Sequence, residues 1–215
     1  LADFDVKHFK APFISPEEIR RHAESFRKQY WGEKSLPIDI LSIVESDLRL
    51  AIRPIKNLRS ECDTYALLLG TNKTIIVDFD NYMDERMQNR LRFSVAHEIG
   101  HLVLHKDLFL KVNHESIKEW QNFILNIPER EYGFIEYHAN EFAGQLLVPV
   151  EPLRLQLKKA ISHAKRQGLE NENLIGDAAL NYISSYICRF FGVSDQAIQK
   201  RLQKEKLWPP SIDNP

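Results

Sequence analysis

The chain has 215 residues, 43% hydrophobic and 27% charged, with a formal net charge of -1 and a sequence pI near 6.8. A nearly neutral chain lacks the global positive field that drives salt-sensitive nucleic-acid binding, so nucleic acid is not the first partner to propose. Two cysteines, Cys62 and Cys188, are too few and too distant for a disulfide framework or a CxxC knuckle, which points to a reducing cytoplasm. No apolar run reaches the roughly 18 residues needed to span a bilayer, and "LADFDVKHFKAPF" lacks the charged start and apolar stretch of a signal peptide, so a membrane is not expected. The chain opens at Leu1 rather than Met, as a trimmed chain does.

In chain order, "ISPEEIRRHAESFRKQYW" sets Ser15 at an N-cap, Pro16 at the first helical position and Glu18 three residues after the cap, predicting a helix from about 16 to 31. "LPIDILSIVESD" spaces Ile38, Leu41, Ile43 and Val44 as a second, short helix would. The period then changes. "LRLAIRPI", "TYALLLGT" and "KTIIVDF" are short, branched and bounded by turn residues, with Gly70, Thr71 and Asn72 at a hairpin turn. These segments predict a small antiparallel sheet from about 48 to 79. From Asp84 to His105 an apolar stripe of Leu91, Val95, Ile99, Leu102 and Val103 predicts a helix. "ESIKEWQNFIL" and "EREYGFIEYHANEFAGQLLV" follow as helices, the second ended by Pro149, and three more span about 151–166, 174–191 and 194–206. The Pro-rich tail "WPPSIDNP" is expected to fray.

The helix from Asp84 carries "RFSVAHEIGHLVLH". Residues four apart lie on one helix face about 6 Å apart along the axis, so His97 and His101 can offer imidazole nitrogens to one metal ion. Glu98, rotated about 100° from His97, is placed to take a proton from water rather than to ligate. Gly100 leaves space beside the metal or lets another element come close. An amphipathic core helix would also account for the apolar stripe, so a third ligand decides between the two readings. His105 continues the same face but lies about 12 Å along the axis from His97, which suits a helix-end or supporting group. The longer HExxHxxGxxH pattern fails at Leu104 and Asp107, against a metzincin. Downstream, Glu136 and Asn140 are four apart, so one face could give a carboxylate to the metal and an amide to a ligand histidine. Glu141 and His138 are the competing candidates, on other faces of that helix.

"RFSVAHEIGHLVLH" followed by "EYHANEFAGQLLVP" resembles the ImmA/IrrE family of bacterial zinc metallopeptidases, with its RF, HExGH, ExxAN, FA and LLxP pattern. The resemblance is clear over roughly residues 37–150 and looser beyond. It implies one zinc per chain held by His97, His101 and Glu136, Glu98 as general base, and Asn140 behind the site. It further implies a cytoplasmic endopeptidase whose targets include helix-turn-helix repressors, in stress response or mobile-element control. The long stretch between His101 and Glu136 departs from the pattern, and the extra helix around Trp120 is placed to reshape or cover the cleft. Tyr82, Tyr132, Tyr137 and His138 are eligible by type to stabilise an oxyanion, and the sequence does not choose among them.

"CRFFGVSDQAIQKRLQKEKLW" reads as helix, tight turn at Gly192 and a second helix capped by Ser194, a helix-turn-helix shape with positive charge at Arg189, Lys200, Arg201, Lys204 and Lys206. Direct DNA binding is not the favoured use of it; a docking pair that recognises a protein substrate is at least as good a reading. "LRLQLKKAISHAKRQG" turns Leu153, Leu155, Leu157 and Ile161 toward a core, and Cys62 is expected as a packed, inert thiol. The expected architecture is α+β and zincin-like, with a metallopeptidase domain at 1–150 and a C-terminal helical subdomain at 151–215. The alternative function is a non-proteolytic regulator that binds DNA or a protein through its C-terminal helices.

Overall fold

The computed structural model describes residues 5–69, 73–112, 114–168 and 175–210. The chain forms two compact units, Leu1–Glu33 with Asp39–Leu146, and Lys34–Ile38 with Leu147–Pro215.

In the first unit, α1 (Pro16–Tyr30) begins as its sequence dictates. The Ser15 hydroxyl accepts from the Glu18 amide at 3.2 Å and the Glu18 carboxylate accepts from the Ser15 amide at 2.9 Å. This reciprocal cap satisfies two of the amides that a helix start leaves open. The helix buries Ile19, Ala23 and Phe26, one face at helical spacing. The short second helix exists as α2 (Ile40–Ser42), capped by Asp39 and running on as a π turn over Ile43–Asp47.

Three strands follow, β1 (Ala51–Ile55), β2 (Ala66–Leu69) and β3 (Thr74–Asp78), in the order β1-β3-β2. The sheet is mixed rather than antiparallel as expected: β2 runs antiparallel to β3, with Leu67 opposite Ile76, whereas β1 runs parallel to it. Composition explains the order. Ile75, Ile76 and Val77 are all buried, which suits the centre, while Pro54 lacks an amide proton and confines β1 to an edge. The strands β1 and β2 are joined through α3 (Leu58–Cys62), a turn of helix too short to show a period. Gly70, Thr71 and Asn72, read as the hairpin turn, lie outside the described residues.

After α4 (Phe79–Met83) and a 3-10 turn at Glu85–Met87 comes α5 (Gln88–Leu104), which packs on β2 and β3. Its stripe is buried at Leu91, Val95 and Ile99, and half-buried at Leu102 and Val103. Next come α6 (Lys106–Val112), absent from the sequence reading, and α7 (Ile117–Asn126). Ile117 and Trp120 of α7 pack against Leu58, Leu67 and Ile76. Phe123 joins a second cluster with Leu108, Phe109, Ile127 and Ile135. The last helix of this unit is α8 (Glu129–Leu147).

The second unit holds α9 (Val150–Arg166), α10 (Asp177–Phe191) and α11 (Asp195–Lys204). In α9 Leu153 and Leu157 are buried, but Leu155 is 53% exposed, contrary to expectation. Two residues on from Leu153 is about 200° around the helix, so both cannot face one core. Gly192, at φ 60°, ends α10 in the left-handed region that glycine adopts freely, and the Ser194 hydroxyl caps α11 by accepting from Ala197 at 3.2 Å. The two helices, the turn at Gly192 and the cap at Ser194 are therefore present as read. Arg201, however, is not part of a basic face: it is 3% exposed, ion-paired with Glu205 at 2.8 Å, and donates to the Val148 carbonyl. It falls on the apolar side of α11, between the buried Ile198 and Leu202, where sequence alone counted only its charge. Tail residues 211–215 lie outside the described residues. No described helix is long and apolar enough to cross a membrane.

Candidate metal centre

Three side chains from two helices converge. His97 and His101, one turn apart on α5, bring their Nε2 atoms to 3.0 Å from each other. Glu136 of α8 sets one carboxylate oxygen 3.2 Å from His97 Nε2 and the other 3.3 Å from His101 Nε2. What brings α8 this close is Gly100: a Cβ there would meet Ala139 Cα and carbonyl oxygen at 3.0 Å. Of the two uses foreseen for this glycine, close approach of another element is the one found. Ala139 lies three residues after Glu136 and one before Asn140, so the contact fixes both functional positions.

Each ligand-type histidine is held from behind. The Asn140 carboxamide oxygen lies 3.2 Å from His97 Nδ1, while its NH2 donates to the Glu136 carbonyl at 2.9 Å. This fixes which end of the amide faces the ring. His101 Nδ1 lies 3.2 Å from His105 Nδ1, and His105 Nε2 lies 3.3 Å from His138 Nδ1. His105 caps the end of α5 and supports His101, as its position suggested. His138 is placed away from the Nε2 pair. Glu141 is buried and accepts from Gln145 at 3.0 Å, on another face of α8.

Glu98 is 5% exposed, and its Oε2 accepts from the Leu68 amide of β2 at 2.8 Å. That backbone contact has no sequence signature, because it joins residues 30 apart through the strand's outer edge. Burial pushes the Glu98 carboxyl above its usual range, against the pull of His101 and His97. Glu136 goes the other way: burial would raise it, but hydrogen bonds from His101 and His97 hold it well below the usual carboxylate range. For His97, burial favours the neutral ring, and the Glu136 and Glu98 carboxylates outweigh it and raise the pKa. Of the two carboxylates, Glu136 is therefore the one held ionised beside the ring nitrogens, as a ligand to a cation must be.

The donor set fits a metal ion on its own geometry. Four ligands at about 2.0–2.1 Å in a tetrahedron stand about 3.3 Å apart; the two Nε2 atoms are 3.0 Å apart, and each has its own Glu136 oxygen at a similar spacing, 3.2 Å from His97 and 3.3 Å from His101. Both Nδ1 atoms already face hydrogen-bond partners, leaving the two Nε2 lone pairs for the shared centre. His97, Glu98 and His101 also bring ligand-type atoms within 4.8 Å of one another. Glu98 is the weaker donor of the two carboxylates, since one of its oxygens is committed to Leu68 and Glu136 closes on both nitrogens.

The centre opens into a cleft of about 140 Å³ whose far wall is apolar, with Phe109 of α6, Trp120, Phe123 and Ile124 of α7, and Leu67 of β2. The helix around Trp120 therefore forms one wall of the cleft. Of the four residues eligible to meet an oxyanion, Tyr132 lines it. Cys62 sits at the rim, and burial raises its thiol pKa. Sequence reasoning missed the Leu68 contact and the link from His105 to His138. The spacing of His97, His101 and His105 signalled a shared face, but nothing local indicated what would meet its end.

Two histidines one turn apart, a glutamate beside the first and a carboxylate from a second helix define a metallopeptidase site. The profile of the Peptidase M78 family, described as the IrrE N-terminal-like domain, matches residues 81–203, and the chain belongs to that family. The match starts after the sheet and runs on through α11, whereas the resemblance in the sequence was clearest over 37–150. None of the curated proteins compared matches the chain.

Proposed function

We propose that the protein is a cytoplasmic zinc endopeptidase, with one zinc held by His97, His101 and Glu136, that cleaves a regulatory protein. The observation that carries the reading is the convergence of two histidine Nε2 atoms 3.0 Å apart on the Glu136 carboxylate, one of whose oxygens lies 3.2 Å from His97 and the other 3.3 Å from His101. Two imidazoles and one carboxylate are a donor set that zinc takes in hydrolytic sites, with the fourth position left open. A zincin-like arrangement, the HExxH helix packed on a small sheet, accords with α5 against β2 and β3. A helix-turn-helix repressor, in stress response or mobile-element control, is the target class that the family resemblance suggests. The cytoplasm accords with two free cysteines, Cys62 and Cys188.

Zinc supplies Lewis acidity, toward water and toward the scissile carbonyl. The chain's own groups do the rest. Glu98 Oε2 is tied to the Leu68 amide, so Oε1 takes the proton from the attacking water and later delivers it to the leaving amine. Burial holds this carboxyl ready to carry a proton. Tyr132, kept in its protonated form by burial and by the Glu136 and Glu98 carboxylates, is the phenol available to the developing oxyanion. Asn140 holds the His97 ring in the orientation that aims Nε2 at the centre.

Zinc content and cleavage of a co-expressed repressor in wild type, Glu98→Gln, Glu136→Ala and Glu141→Ala test this. Glu98→Gln should keep zinc and lose all cleavage, and Glu136→Ala alone should lose zinc. Cleavage unchanged in Glu98→Gln would sink the proposal. The alternative, a regulator acting through its C-terminal helices on DNA, is weakened by the burial of Arg201, one of its five charges.

A further inference from the structure

Beyond the ligand set, three buried histidines form an unbroken row, His101, His105 and His138, joined at 3.2 and 3.3 Å. Each is about 95% or more buried, with exposures of 4%, 4% and 3%, so water does not stand in for a missing partner. A neutral imidazole has one N–H and one lone pair. This makes the row directional, and only one direction suits a metal. If His101 Nε2 keeps its lone pair for the centre, its proton sits on Nδ1 and must be accepted by His105 Nδ1. His105 then carries its own proton on Nε2, which donates to His138 Nδ1, and His138 holds its proton on Nε2. The reverse polarity would place a proton on His101 Nε2 and remove it as a ligand. Both inter-ring contacts occur at the nitrogens that this polarity requires.

We infer that His105 and His138 are positioning residues that set the tautomer and ring orientation of His101, doing for the second histidine what Asn140 does for the first. The inference rests on the zinc reading above, which is what requires the His101 Nε2 lone pair and so sets the polarity of the row. A single asparagine serves His97 because α8 passes directly behind it. His101 lies one turn further along α5, where the next group on the same face is His105, and His105 in turn meets His138 of α8.

The test has two parts. Imidazole 15N NMR of the zinc-loaded full chain should show His105 and His138 neutral with the proton on Nε2. A proton on His105 Nδ1 overturns the inference. Zinc affinity, measured by competition with a chromogenic chelator, should fall about 10- to 100-fold in His105→Leu, the usual effect of removing such a support. His105→Gln keeps one acceptor and one donor and should restore affinity to within about threefold. Affinity equal to wild type in His105→Leu, or equally poor in both variants, overturns the inference. If wild type takes up no zinc, the proposed function fails and this inference falls with it, whereas zinc uptake with a proton on His105 Nδ1 overturns the inference alone. If His105→Leu does not fold, the NMR measurement on wild type decides it.

Discussion

Replacing Gly100 with alanine tests whether the approach of two helices assembles the metal centre. The new Cβ would stand 3.0 Å from Ala139 Cα and carbonyl oxygen and 3.3 Å from Ala139 Cβ. Carbon atoms rest at about 3.5–4.0 Å, so α5 and α8 must separate locally by about 0.5–1 Å. All the atoms in conflict belong to Ala139, and two of them are backbone, so no flexible side chain can yield. Overpacking of this kind costs about 1–3 kcal/mol, and in a chain of this size each kcal/mol lowers Tm by about 2–4 °C. The functional effect is larger. Glu136 moves with α8, and its oxygens would retreat from 3.2 and 3.3 Å to about 4 Å from the histidine nitrogens. Ligand distances in a working site hold to about 0.2 Å, so zinc affinity should drop by at least about tenfold. The assays are chelator competition for zinc and thermal unfolding of the metal-free protein. Gly133→Ala is the control: it lies on α8, the other helix of the crossing, with nothing within 4 Å of the added carbon. It should leave zinc affinity unchanged and add about 0.5–1 kcal/mol of stability. If Gly100→Ala binds zinc as tightly as wild type, the close crossing does not position Glu136, and the reasoning fails.

Asn140→Ala removes the acceptor behind His97 and should weaken zinc binding about 10-fold or more; competition titration with no change would show that the amide does not orient the ring. Trp120→Ala should widen the 140 Å³ cleft, which is well below the roughly 300–1,000 Å³ of common ligand sites. Faster extraction of zinc by a chelator is the expected readout, with a stability cost of up to about 3 kcal/mol; an unchanged rate would mean that α7 does not limit access. In the second unit, Arg201→Ala leaves the buried Glu205 carboxylate and the Val148 carbonyl without their partner. Urea unfolding should show a loss of about 3–5 kcal/mol, much of it recovered in the double variant Arg201→Met with Glu205→Leu. A loss of DNA affinity with stability unchanged would contradict this structural role.

Much of the centre was legible because its parts are local. His97, Glu98 and His101 fall on one helix, and Glu136 with Asn140 on another, so helical rotation alone sorts the residues that share a face. The caps at Ser15 and Ser194 and the turn at Gly192 were readable for the same reason: each is a short-range hydrogen-bond or backbone preference. The third ligand was less accessible. Glu136, Glu141 and His138 compete on equal terms until the rotation of α8 about its own axis is known, and that rotation is set by Ala139 lying against Gly100.

The sequence by itself determined that His97 and His101 share one helix face with Glu98 beside the first, the existence of the helices that carry the candidate site, and the family. These depend on residue type and on a period of about 3.6, which a linear pattern records. Only the tertiary structure decided that β3 sits between β1 and β2, that Arg201 is buried, that α7 walls the cleft, and that His105 passes its contact on to His138. Each of these depends on which surfaces meet across long stretches of chain. Such meetings are fixed by shape and burial summed over many residues, and no single spacing in the sequence records them.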